Sequence, residues 1–179
     1  GVFWCYYLGA LVTGALFVMG MSFAPLVGTA FSALAFLAVL ASPAAPLAQL
    51  FLVMVALVAL VVSVYSLDYI HENKGWYWFF LLLTFASLAG IVTAADNTAL
   101  YGYWELMTFA SYFLVVHEGR RTAFEAGLKY YVMCAGGALF MLPGLYILGA
   151  FAAAPAAAFN LPMLFQLGLV LCLAGFAAK

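Results

Sequence analysis

The residue that most needs a chemical explanation is a glutamate set inside an apolar run. Glu105 lies eight residues into the stretch Thr98 to Val116, about 10 Å from its start by helix rise. An ionisable group at that depth in hydrocarbon is costly unless it faces a partner or water. Tyr101 stands four residues before it and Thr108 three after; Tyr112 follows one turn on, and Ser111 lies close to the same arc. A helix here carries one polar stripe. A carboxylate held between burial and a nearby cation can take up and release a proton. The alternative is a protonated glutamate making a helix–helix hydrogen bond. Two lysines could supply the cation. Lys179 ends an apolar stretch that begins near Asn160, and simple rise puts it about 28 Å in. That leaves both a charged partner and a snorkelling interfacial lysine open. Lys129 follows Glu125 at the i, i+4 spacing of helical ion pairs. It reads as an anchor, a salt-bridge partner or a cation whose field reaches Glu105.

Other candidates are weaker. His71 and His117 titrate near neutral pH but fall in loop regions, and with Asp68 and Glu72 they make no metal-ligand pattern. Cys5, Cys134 and Cys172 are far apart in apolar segments, without metal or disulfide spacing. No Gly-rich phosphate loop or nucleophile–histidine pairing is present. We therefore expect no catalytic centre, cofactor or metal in this stretch, and proton or ion movement rather than chemistry on a bound molecule.

The elements that must position these residues follow from composition. Of 179 residues 70% are hydrophobic and only 6% charged, too few to cover a soluble globule, which is normally about 25% charged. Disorder and nucleic-acid binding are excluded on the same grounds. Charges and prolines divide the chain into seven apolar segments: Phe3–Met21, Phe23–Leu40, Leu47–Leu67, Trp76–Ala95, Thr98–Val116, Glu125–Ala150, and one from near Asn160. Each approaches the 20 or so residues of a membrane-spanning helix, and the alternation of a β-barrel is absent. The expected fold is all-α, a polytopic bundle of about seven transmembrane helices. Pro143, inside the sixth, is expected to bend it. Aromatic groups at Trp4, Tyr6 and Tyr7, Tyr65 and Tyr69, Trp76 to Trp78, and Tyr130 and Tyr131 read as headgroup anchors. Lys74, Arg120, Arg121 and Lys129 all fall in connections on one side, whereas the opposite connections hold no positive charge. The positive-inside rule then puts the N-terminus outside. The chain opens on Gly1 and closes on Lys179 without a final loop, and we expect it to be part of a longer membrane protein, truncated at its C-terminus.

The run Tyr103-Trp104-Glu105-Leu106-Met107-Thr108-Phe109-Ala110-Ser111-Tyr112-Phe113-Leu114 resembles the signature fifth helix of the antiporter-like membrane subunits. That family includes the proton-pumping subunits of NADH:quinone oxidoreductase, the large subunits of multisubunit cation/proton antiporters, and membrane subunits of formate hydrogenlyase and related hydrogenases. Val64-Tyr65-Ser66-Leu67-Asp68-Tyr69-Ile70 is similar to the sequence closing the family's third helix. Gly175-Phe176-Ala177-Ala178-Lys179 resembles the start of its seventh-helix lysine motif, whose Pro-Leu-His continuation is missing here. The resemblance implies that Glu105 and Lys179 form the charged pair of a proton half-channel, with Lys129 a weaker carry-over. It implies outer helices over about 1–95 and the start of the first of two inverted repeats over about 98–179. The implied role is a non-redox, proton-translocating subunit of a respiratory or hydrogenase-type complex, multi-pass in the inner (plasma) membrane. Its partners would be other membrane subunits, the lipid bilayer and protons, with sodium or potassium as further candidates. The alternative is a subunit of a cation/proton antiporter with no redox partner.

Overall fold

The computed structural model describes residues 2–19, 22–41, 44–71, 73–153 and 162–178. Among these the chain forms seven α-helices and no strand: α1 (Val2–Val18), α2 (Ala24–Ala41), α3 (Pro46–Tyr69), α4 (Lys74–Val92), α5 (Asn97–Val115), α6 (Arg121–Ala153) and α7 (Pro162–Ala177). The starts have local causes. Pro46 opens α3, where its missing N–H breaks no helical bond. Asp96 caps α5, its Oδ1 accepting the Ala99 N–H at 2.7 Å, which satisfies one of the first-turn donors. Asn73 enters α4 with φ 46°, a left-handed conformation that asparagine tolerates better than most residues.

The expected segments are these helices, with ends shifted by a few residues. The described architecture is a helical membrane bundle. α2, α3, α4 and α6 are long and apolar enough to cross a membrane. α1 and α7 are shorter, at 17 and 16 residues. α5 has 19 residues but is diluted by its polar stripe. The largest departure is α6. It spans 33 residues, about 50 Å, and continues through Pro143 as one helix.

α4 is the hub. Eleven of its 19 residues are buried, against two of 19 in α5, because α1, α2, α3 and α5 all pack on it. α6 packs on α5, and α7 on α6. Consecutive helices run antiparallel. Phe17 lies against Gly75 and Tyr103 against Gly90, so Lys74, Arg120 and Arg121 collect at one end of the bundle, and the start of α1 lies at the other. We call the first the basic end.

Without a hydrophobic drive between helices in lipid, packing rests on small residues and hydrogen bonds. Ser32 and Ser63 bond across α2 and α3 at 2.8 Å, and Ser66 meets the Tyr77 hydroxyl across α3 and α4 at 2.8 Å. Trp78 is wholly buried, its indole lying where any Cβ on Gly28 would have to go. Tyr6 is also wholly buried. Of the expected anchors, Trp4, Tyr65, Tyr69 and Trp76 are exposed, whereas Tyr6, Tyr77 and Trp78 build the interior. Gly28→Leu should overpack this contact and destabilise the bundle by about 1–3 kcal/mol. Reversible unfolding by sodium dodecyl sulfate measures it, and an unchanged midpoint would mean that Trp78 does not need the glycine.

Candidate functional site

Glu105 sits midway along α5 and is half-buried. Tyr101, one turn before it, is half-buried and within electrostatic reach of its carboxylate. Thr108 is fully buried, and its hydroxyl donates to the Trp104 carbonyl at 3.0 Å. Ser111 and Tyr112 are half-buried. The stripe lies on the side of α5 that meets α6: Tyr112 packs beside Gly127 and against the Tyr131 ring at 5.5 Å. The Ser111 and Tyr130 hydroxyls are 2.7 Å apart. Ser111 also reaches the Met107 carbonyl at 2.7 Å. When its single proton goes there, Tyr130 is the donor to Ser111.

Three cross-helix bonds clamp α5 to α6. Besides Ser111–Tyr130, the Asn97 Nδ2 donates to the Leu145 carbonyl at 2.9 Å, and Thr98 meets the Tyr146 hydroxyl at 2.9 Å. A Cβ on Gly149 would sit 2.8 Å from Asn97 Nδ2, so the glycine makes room for that contact. Of these clamp residues the sequence singled out Ser111 alone as part of the polar stripe. Tyr130 and Tyr131 read as headgroup anchors. Both tyrosines instead face α5.

The clamp fixes the register. With residue 98 against 146 and 111 against 130, Glu105 lies level with the Gly136–Gly137 step of α6. α7 reaches the same level. Gly175 packs on Met141 and the Gly137 carbonyl, and Ala178 lies over Gly137. Close approach is possible because Gly137 and Gly144 on α6 face Gly168, Cys172 and Gly175 on α7, a small-residue seam of the kind that brings membrane helices together. Trp104, beside Glu105, meets Phe176 of α7 with ring centroids 5.0 Å apart. Simple rise had suggested that the end of the seventh segment would fall well past the middle of the membrane. α6 resolves this. It continues from Leu145 to Ala153, about 12 Å beyond the start of α5, so α7 begins farther out and Ala178 arrives at the depth of Glu105. Lys179 lies outside the described residues.

Lys129 is exposed and two residues from Gly127, on the far side of α6 from α5. It is also about two turns nearer the basic end than the level of Glu105. Glu125 pairs with Arg121 at 3.2 Å rather than with Lys129; both are four residues away, and the guanidinium takes the carboxylate. Among the described residues no group of three His, Cys, Asp or Glu side chains forms a metal cluster. Ser111→Ala and Tyr130→Phe, singly and together, should show a coupling of about 0.6 kcal/mol in a double-mutant cycle of unfolding, the usual size for an interhelical bond in a membrane protein. Additive effects would show that the hydroxyl pair carries no stability.

Comparison with known proteins adds an independent line. Residues 44–80 match the family described as NADH-Ubiquinone oxidoreductase (complex I), chain 5 N-terminus. This stretch runs from before α3 into α4 and contains the Val64–Ile70 motif; Glu105 lies beyond it. The chain is 34% identical over 88 residues to NAD(P)H-quinone oxidoreductase subunit 5 of the Nephroselmis olivacea chloroplast, covering 48% of this chain and 14% of that protein. It is 28% identical over 106 residues to Na(+)/H(+) antiporter subunit A1 of Staphylococcus aureus, covering 58% of this chain and 13% of that protein. A further relative is an uncharacterised protein of Methanocaldococcus jannaschii, 39% identical over 67 residues, or 37% of this chain and 14% of that protein. The chain therefore spans only about a seventh of the relatives it matches.

Proposed function

Because the chain belongs to the antiporter-like family of membrane subunits, we propose that it forms part of a proton half-channel in which Glu105 is the exchanging group. The subunit serves a redox-driven respiratory or hydrogenase-type complex in the cell's inner membrane. The observation that carries this reading is the common depth of the Glu105 stripe and of Ala178 at the end of α7. Lys179 follows Ala178 directly in sequence, which supports its assignment as the cation paired with Glu105. Two opposite charges at membrane depth are each costly alone and stabilise one another when adjacent. The pair would then exchange protons as one coupled unit. Lys129, exposed and distant, serves at most as a supply point near the basic end. The other subunits of such a complex, and the protons moved, belong to this same proposal.

A second reading has a specific support: the likeness to a sodium/proton antiporter subunit. There the same charged pair would exchange protons for sodium or potassium with no electron-transfer partner.

In the full-length protein, Glu105→Gln should abolish most proton translocation in inverted vesicles while the subunit still assembles. Lys179→Gln should have a similar effect, and the double variant should be little worse than either single one, as expected of residues acting as a unit. Normal pumping with normal assembly would overturn the role of Glu105, and additive losses would overturn the pairing. Exchange that depends on sodium or potassium without an electron donor would replace the redox reading by the antiporter one.

A further inference from the structure

Two histidines that look unrelated in the sequence meet at the basic end. Tyr69, Ile70, His71, His117, Glu118 and Arg120 line a cavity of about 450 Å³, built from the connections before α4 and before α6. His117 also lines a second cavity of about 380 Å³, walled by Asn73, Trp76, Phe80, Phe113 and Val116. The first chamber is polar and the second is mainly aromatic and aliphatic. The His117 imidazole borders both. Its ring packs edge-on against Tyr77 at 5.2 Å, and Tyr77 is itself held by Ser66 at 2.8 Å. The apolar chamber has a shelf of stacked rings: Trp76 on Phe80 at 5.5 Å, and Phe80 on Phe113 at 4.3 Å. Trp76 is half exposed, so that end of the shelf is accessible. Nearby, Tyr65 and Tyr69 stack at 5.3 Å and are both exposed. Such rings favour the depth where headgroups meet hydrocarbon.

The polar chamber carries both signs of charge. Arg120 and the two histidines offer donors to an anion. The Glu118 carboxylate lies 3.5 Å from Arg120 Nε, and both side chains are largely exposed, so the pair can open toward a ligand at little cost. Asp68 adjoins His71 in a neighbouring hollow.

We propose that these two chambers together bind a phospholipid with a zwitterionic, primary-amine headgroup. Its phosphate sits against His71, His117 and Arg120, its ammonium against Glu118, and the first methylenes of one acyl chain lie on the Trp76–Phe80–Phe113 shelf. Charge complementarity selects this headgroup. A purely anionic one leaves Glu118 facing like charge, and a quaternary ammonium cannot donate the hydrogen bond that a carboxylate accepts most strongly. A free phosphate compound leaves the apolar chamber unused. The site does not depend on the proton-channel reading.

The test uses delipidated full-length protein in mild detergent and native mass spectrometry. The probes are phosphatidylethanolamine, phosphatidylglycerol, phosphatidylcholine and soluble glycerophosphoethanolamine. The wild type should retain phosphatidylethanolamine over the other two lipids. His71→Ala and Arg120→Ala, both at exposed loop side chains, should each lower that retention roughly fivefold or more, the size expected for losing one charge-assisted contact. Their melting without lipid should be unchanged. Trp76→Ala should lower retention of the lipid while leaving the weak binding of the soluble headgroup intact. Equal or greater retention of phosphatidylglycerol or phosphatidylcholine, or unchanged retention in both loop variants, overturns the proposal. Soluble headgroup binding as tight as the whole lipid would assign the polar chamber to a free phosphate ester and overturn it equally.

Discussion

A carboxylate in the middle of a lipid-spanning helix imposes conditions on everything around it. Hydrocarbon offers no hydrogen bonds, so the helix that carries Glu105 must turn its polar side toward another helix. In α5 that side is the stripe from Tyr101 to Tyr112, and α6 covers it. Hydroxyls within the stripe spend their protons on backbone carbonyls one turn back, as Thr108 and Ser111 do. This satisfies them without a second charged group. The opposite side of α5 is free to be apolar, and Leu106, Ala110 and Phe113 pack into the core around α4. One helix thus has a lipid-compatible body, a core face and a polar face, which is why it is the least apolar of the seven described.

Register is the second condition, and it is set at a distance from Glu105. The α5–α6 clamp works at two places, near Asn97 and near Ser111, with Glu105 between them. The α6–α7 seam is made by glycines and Cys172, which let the backbones come close. Neither device touches the carboxylate, yet together they decide what lies level with it. A change of one residue in either would turn a different side chain toward the site.

Much of this was legible in the sequence, and the rest was hidden for a physical reason. The seven helices could be read because charges are costly in hydrocarbon and so collect at the ends, with Pro46 opening α3. Glu105 could be read because it breaks that rule. The hub role of α4 could not. α1 to α4 are apolar on nearly every side, so hydropathy does not separate their buried faces from their exposed ones. Trp76, Tyr77 and Trp78 illustrate this: they form one aromatic run in the sequence, yet Trp78 is in the core, Tyr77 bonds to Ser66, and Trp76 is half exposed. The sideways pairing of Asn97 with Leu145 was invisible because it depends on where α6 lies. The overshoot of α6 was hidden because it is measured against the start of α5, and that register is set by the Asn97–Leu145 contact.

That overshoot has a consequence for the bilayer itself. The apolar α6 tip ends about two turns farther from the basic end than the turn at Asp96, so the bundle has two heights at that end. A bilayer that matched both heights would differ in thickness across the molecule, at a cost of fractions of a kcal/mol per Å of mismatch. The step in height therefore runs along the seam where α6 meets the side of α5 that carries Glu105.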